Sequence, residues 1–295
     1  MSLHWLLLGL TLSLTTSNVN AHAHDPFTVV LVDKSKNELH LGTYNDDKIE
    51  IKKTFHTTLG KALGDKMIEN DLKTPEGIYF FTSLFRQPAL KKKFGVMALL
   101  MNYPNPLDRA AGKTGYDIML HATDDPSRLQ RKLDSEGCVV IDNPIIEEVS
   151  KSVRLGLTPI IVYSELKKEF LSASHKPEVQ AAFDRWIKAW NSKDIDNYIG
   201  SYATNFKFNG MNLKRYKEYK NTLNQKYSAI NVDAKHVRYF YHPKYDAVYF
   251  TQHYESKLKG GSNGFKSAGT KVVYFVKEEG GYKIANESYS NLQED

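Results

Sequence analysis

Short apolar runs separated by polar turns dominate the first half of the chain. They begin at residues 28–33, 38–44 and 49–56, divided by Lys34-Ser35-Lys36-Asn37 and Asn45-Asp46-Asp47. Runs of this length bounded by turn-forming residues predict strands. Further strands are expected at 78–84, 118–120, 139–141 and 158–163, with a polar helical link over 124–133. Asn143-Pro144 predicts a helix to about Val153, with Asn143 as N-cap and proline in the first turn. The Gly- and charge-rich stretch 60–73 leads into Thr74-Pro75-Glu76-Gly77, where proline fixes one φ and glycine relaxes another. This half reads as mainly β.

The pattern changes after Pro177. Val179, Phe183, Trp186, Ile187 and Trp190 recur at helical spacing, followed by a second short helix over 195–203 and a third over 213–230. Strands dense in aromatic residues follow at 232–241, 247–258, 270–277 and 282–289, turning at His242-Pro243-Lys244-Tyr245-Asp246 and at Glu278-Glu279-Gly280-Gly281. Helices followed by an antiparallel meander predict an α+β unit. A chain of 295 residues exceeds one ordinary domain, so we expect two, 27–164 and 178–295, with 165–177 as the linker.

The apolar run 5–14 is too short to span a bilayer, and Val19-Asn20-Ala21 is a small-residue cleavage pattern. Residues 1–21 are therefore expected to be an export signal, removed to leave no stable membrane insertion. The head lacks Lys and Arg, which leaves an uncleaved anchor open. The formal charge of +6 suits an acidic surface such as a cell-wall polymer and equally suits simple solubility. No basic helix or aromatic-basic array points to nucleic acid, and Lys91-Lys92-Lys93 reads as a solvated face.

Cys138 is the only cysteine, and in an exported chain an unpaired thiol is usually there to react. Such chemistry calls for a base or an electropositive setting that shifts the thiol toward thiolate. His121 ends one apolar run and Cys138 opens another, so neighbouring strands would bring both to one rim. Gly137 would let the backbone turn there and aim amide N–H groups at an oxyanion. On spacing alone, an inert core cysteine and a structural histidine stay equally open.

The stretch from His121 to Ser135-Glu136-Gly137-Cys138 resembles the signature of the L,D-transpeptidase catalytic family, a histidine and then Ser/Thr-His-Gly-Cys. Gly64-Asp65-Lys66, the run from Asp71 to Tyr79, and Asn102-Tyr103-Pro104-Asn105 with Asp108 extend the likeness. Three positions depart from the pattern: Glu136 replaces the motif's second histidine, Val140 an Arg or Asn, and Ala122 a glycine. Glu136 is expected to point away from the thiol or to pair with a cation. The resemblance implies a β-sandwich catalytic domain with Cys138 as nucleophile, His121 as base and the Gly137 and Cys138 N–H groups at the oxyanion. It further implies substrate contacts from Lys66, Tyr103, Ser135 and Ala122, peptidoglycan stem peptides as partner, and no cofactor or metal.

The run Phe183-Asp-Arg-Trp186-Ile-Lys-Ala-Trp190 before Lys193-Asp194 is similar to the nuclear transport factor 2-like fold, a cone whose ligand is unknown here. His236, His242, His253 and Tyr249 are candidates to line its pocket, with packing in the core or rim as the favoured reading. Both domains in this order resemble the exported, periplasmic murein L,D-carboxypeptidases of helical Gram-negative bacteria. That resemblance implies trimming of tetrapeptide stems to tripeptides, in cell-wall remodelling and cell shape. An L,D-transpeptidase that cross-links stems or attaches or detaches a wall-linked protein, and a non-catalytic wall-binding module, stay as alternatives.

Overall fold

The computed structural model describes residues 27–261 and 264–291, so the expected signal segment lies outside the described residues. An eight-stranded sheet runs in the order Lys48–His56, Glu38–Asn45, Phe27–Asp33, Pro159–Tyr163, Gly77–Arg86, Met97–Met101, Met119–His121, Val139–Val140. Two neighbouring pairs are parallel, Phe27–Asp33 with Pro159–Tyr163 and Met119–His121 with Val139–Val140. Successive strand residues face opposite sides of a sheet, and the first strand shows what each side does. Val30 and Val32 enter one core with Leu39, Tyr79, Leu99 and Val139, while Phe27, Val29 and Leu31 enter a second core shared with the C-terminal half. A sheet covered on both faces needs nearly unbroken apolar strands, which is why Thr28 alone in this strand is not buried.

Several elements differ from the sequence expectation. The polar link is a 3-10 helix, Pro126–Gln130, followed by a short strand, Leu133–Ser135, that pairs in parallel with Leu59–Gly60. Asp142, not Asn143, is the N-cap, its carboxylate accepting from the Asn143 N–H at 2.8 Å, and that helix ends at Ser150. Strand Met97–Met101 and helix Pro106–Ala110 were not anticipated.

In the C-terminal half, helix Pro177–Asn191 buries Val179, Ala182, Phe183, Trp186, Ala189 and Trp190, one apolar stripe laid against the sheet. That sheet has four antiparallel strands, Tyr227–Phe240, Asp246–Leu258, Lys266–Glu278 and Gly281–Asn291. The helix expected to reach Ile230 stops at Lys226. From Tyr227 the chain pairs with Leu258, and Ile230 and Val232 are buried as strand residues, so cross-strand pairing outcompetes helix extension. The second helix ends at Gly200, and the Ala203 N–H instead donates to the Ile284 carbonyl at 2.9 Å.

The stretch 165–177 is packed rather than a free tether. Phe170 is buried and stacks on Tyr163, ring centroids 5.5 Å apart. The turn that follows Tyr241 fastens the two halves. The His242 Nε2–H donates to the Val162 carbonyl at 3.1 Å while its Nδ1 accepts from the Lys244 N–H at 3.2 Å. Tyr245 Oη accepts from the Ile78 N–H at 2.8 Å and from Asn105 Nδ2 at 2.7 Å. A Cβ on Gly77 would lie 2.5 Å from that oxygen, so only glycine admits the tyrosine. Asp246 pairs with Lys176 at 2.8 Å.

Burial lowers the pKa of both His242 and His121 to about 4. The unfolded value is about 6.5, so the unfolded chain takes up protons that the native one refuses. Stability present above about pH 6.5 is therefore lost as the pH falls toward 4, at about 1.4 kcal/mol per pH unit for each imidazole. Thermal melts across this range should show that decline, and His242→Gln, which cannot be protonated, should reduce its slope. An unchanged slope would contradict the buried neutral imidazole.

Candidate active site

Strand Met119–His121 pairs in parallel with Val139–Val140 in the register Leu120↔Val139 and His121↔Val140. Residues paired across a ladder share a face, as do residues two apart along one strand. His121, Val140 and Cys138 therefore point to the same side, and His121 and Cys138 both line one open cleft of 980 Å³. The Cys138 side chain is half-buried, and its Sγ lies 3.7 Å from the Asp117 carbonyl, toward which it donates. Asp117 holds a φ of 58°, an uncommon conformation for a residue other than glycine.

His121 is 2% exposed and its Nδ1–H donates to the carbonyl of Ala122. Phe94 meets the ring edge-on, centroids 4.8 Å apart. With Nδ1 as donor, Nε2 carries the free lone pair. Burial lowers this imidazole to about 4, and burial raises the Cys138 thiol to about 11, with the Met119 N–H and Lys93 acting in the opposite sense. The thiolate-favouring setting expected from the sequence is thus not the resting state. Both groups are neutral at ordinary pH, a thiol and an imidazole that line one cleft.

The turn that carries Cys138 is built by Ser135. Its hydroxyl donates to the Cys138 carbonyl at 2.6 Å and accepts from the Gly137 N–H at 3.1 Å. Gly137 has a φ of 128°, and a Cβ there would sit 2.8 Å from the Lys73 carbonyl oxygen, so no other residue fits. Two expectations change. The Gly137 N–H is engaged within the turn, leaving the Cys138 N–H, which has no acceptor among the described residues, as the turn's candidate oxyanion donor. Ser135 lines the cleft but is buried, with both hydrogen bonds inside the turn, where it shapes the loop.

The other expected contacts fall out similarly. Ala122 is fully buried, and its part is the carbonyl that orients His121. Tyr103 is 5% exposed, its hydroxyl donating to the carbonyls of Thr114 at 3.2 Å and Lys66 at 3.4 Å, so it ties two loops together behind the cleft. Lys66 does line the cleft, but its ammonium pairs with Asp71 at 2.9 Å and donates to the Ile68 carbonyl at 3.2 Å. Asp71 also accepts from the Met67, Ile68 and Lys73 N–H groups, knitting the cleft rim.

Residues that sequence reasoning passed over complete the cleft. Lys91 and Lys93, read as solvated, line it, and Lys93 pairs with Glu136 at 3.8 Å, so the carboxylate beside the thiol faces a cation. Arg128 lines the cleft beside Lys93, donating to the Lys93 carbonyl at 3.4 Å and fixed by Asp134 at 2.6 Å. Tyr116, 72% exposed, stands at the mouth.

A second cavity of 290 Å³ opens in the C-terminal half, lined among others by Trp190, Tyr198, Lys220, Gln252 and Tyr254. None of the four expected residues lines it. His236 and His253 are exposed on strands, His242 sits in the turn between the halves, and Tyr249 packs against Phe27 at 5.3 Å.

Alkylation of Cys138 by iodoacetamide should follow the raised thiol pKa, slow at pH 7 and rising about tenfold per pH unit toward pH 10, because the thiolate is the reactive form. A rate that levels off below pH 8 would contradict the neutral resting pair.

The chain matches a model of the L,D-transpeptidase catalytic domain over residues 28–162 and one of the Cds6 C-terminal NTF2-like domain over residues 178–288. Among solved structures it is similar to Bd1075 of Bdellovibrio bacteriovorus, with 30% identity, a TM-score of 0.76, and 92% of this chain and 94% of that one covered. It is also similar to a mutant form of the helical cell shape determining protein Pgp2 of Campylobacter jejuni, with 25% identity, a TM-score of 0.71, and 90% of this chain and 91% of that one covered. No significant match is found among curated proteins. The match at 30% identity runs through both halves, across the sheet that carries His121 and Cys138 and the cone behind it. The chain therefore belongs to the L,D-transpeptidase catalytic-domain family, in the form that carries a C-terminal NTF2-like domain.

Proposed function

We propose that the protein is a cell-wall enzyme, a cysteine-dependent L,D-carboxypeptidase that removes the terminal D-alanine from peptidoglycan tetrapeptide stems and leaves tripeptides. The observation that carries this reading is the placement of His121 and Cys138 on one face of an open cleft, with His121 Nδ1 held by the Ala122 carbonyl and Nε2 left to accept. As Sγ attacks the carbonyl at the L-centre of diaminopimelate, the S–H proton moves to Nε2 and the Cys138 N–H donates to the oxyanion. An imidazolium whose pKa is depressed to about 4 is a strong acid, suited to returning that proton to the departing D-alanine amine. Water then attacks the thioester, His121 again acting as base, and releases the tripeptide.

The choice of water over an amine rests on the likeness of the Ser135-Glu136-Gly137-Cys138 motif and of the domain order to exported murein L,D-carboxypeptidases. The name of the Campylobacter relative supports a part in cell shape. Export through the 1–21 signal would place the enzyme in the periplasm, where its substrate lies, and among the described residues no helix is long and apolar enough to cross a membrane.

Purified protein given tetrapeptide muropeptides should yield tripeptides and free D-alanine, and Cys138→Ala should lower turnover by about 10³-fold or more. Cross-linked dimers without tripeptide would contradict hydrolysis, and full turnover by Cys138→Ala would contradict the nucleophile. Because His121 must be neutral to act, kcat/KM should hold down through pH 6 and fall only near pH 4, where the depressed imidazole is protonated. An acid limb centred at 6.5 or above would contradict the buried base.

A further inference from the structure

The turn of the C-terminal half does more than hold the halves together. Lys244 reaches across to Asp65 at 2.7 Å and Glu76 at 3.1 Å, both in the catalytic half. These carboxylates are shared with cations of their own domain, Asp65 with Lys113 at 2.7 Å and Glu76 with Lys34 at 2.9 Å, while Lys113 also holds Asp108 at 2.8 Å. Three ammonium groups and three carboxylates thus form one largely buried cluster. Such clusters contribute little net stability once desolvation is counted, and their clearest use is to fix one arrangement over its neighbours.

What this cluster fixes is the backbone behind the nucleophile. Lys34 Nζ also donates to the carbonyls of Gly64 at 2.6 Å and Thr74 at 2.8 Å, and the Glu76 N–H donates to Asp65 Oδ1 at 2.7 Å. Two routes run from there to Cys138. In one, the Lys73 carbonyl lies so close against Gly137 that a Cβ would meet it at 2.8 Å, so this backbone is the wall on which the nucleophile turn rests. In the other, Thr74 Oγ1 accepts from the Gly60 N–H at 2.9 Å, the Lys61 N–H donates to the Ser135 carbonyl at 2.9 Å, and the Ser135 hydroxyl holds the Cys138 carbonyl.

We propose that Lys244 of the C-terminal half is a positioning residue for the Cys138 turn, acting through the Asp65–Glu76–Lys34 cluster and the backbone of residues 73–74. The NTF2-like half is on this account a structural part of the active site. The inference rests on the assignment of Cys138 as nucleophile and says nothing about whether water or an amine accepts the acyl group.

The test uses the full chain with Lys244→Met, Lys244→Arg and, as control, Tyr163→Phe, which removes a hydrogen bond between the halves to the Tyr241 carbonyl, 2.8 Å, and leaves every charge of the cluster in place. Lys244→Met should lower kcat about tenfold with KM little changed, the size expected of a small displacement of a reacting group. It should also change the rate of Cys138 alkylation at pH 9, with Lys244→Arg restoring both. Tyr163→Phe should lower the melting temperature alone. Wild-type kcat and alkylation rate in Lys244→Met, or the same losses in Tyr163→Phe, would overturn the proposal. Alkylation needs no substrate, so a wild-type protein inert toward tetrapeptides would count against the carboxypeptidase reading while leaving this test intact.

Discussion

The parallel pairing of Met119–His121 with Val139–Val140 is the contact on which the rest of the site depends. A parallel ladder keeps paired side chains on one face, and its register here carries an imidazole and a thiol, distant in sequence, into the same cleft. One residue of slip in either strand would leave Cys138 and His121 on opposite faces of the sheet. The register is held from both ends. Leu120 and Val139 are fully buried on the opposite face, and Ser135 clamps the entry to the second strand by bonding both Gly137 and Cys138.

The same sheet explains why the second half is packed onto the first. Phe27, Val29, Leu31, Ile78, Phe80 and Ile161 form an apolar face that the catalytic half does not cover itself; it is buried in one core with Phe183, Trp186, Phe240 and Phe250. Left bare, that face would be a large exposed apolar patch. Burial of this kind also sets the chemistry. Enclosure keeps His121 and Cys138 neutral at rest, so the charged pair forms only as the proton moves in the course of attack.

Much of this was legible in the residues, for physical reasons. Alternating or continuous apolar runs bounded by Gly, Asn and Asp marked most strands, the helical stripe from Val179 to Trp190 marked the change of architecture, and a lone cysteine near a strand-ending histidine marked the chemistry. Other features were decided by tertiary contacts that periodicity does not carry. Met97–Met101 is a short apolar run that reads equally as a buried helix segment. The helix over 213–226 ends because Tyr227 onward finds a strand partner. Ser135, Ala122 and Tyr103 were expected to touch substrate, and each is buried and engaged in a hydrogen bond that only the fold reveals. The roles of Lys93 and Arg128 were hidden because exposed cations have no sequence period, and that of Lys244 because its partners lie in the other half of the chain.

The central claim is a neutral His121 whose Nδ1–H is held by the Ala122 carbonyl and whose Nε2 is left to accept. Nitrogen-15 chemical shifts of the histidine ring in labelled protein test it most directly. The account predicts a protonated Nδ1 and an unprotonated Nε2 for His121, unchanged from pH 8 to pH 5. An imidazolium at pH 7, or a ring titrating near 6.5, would contradict it.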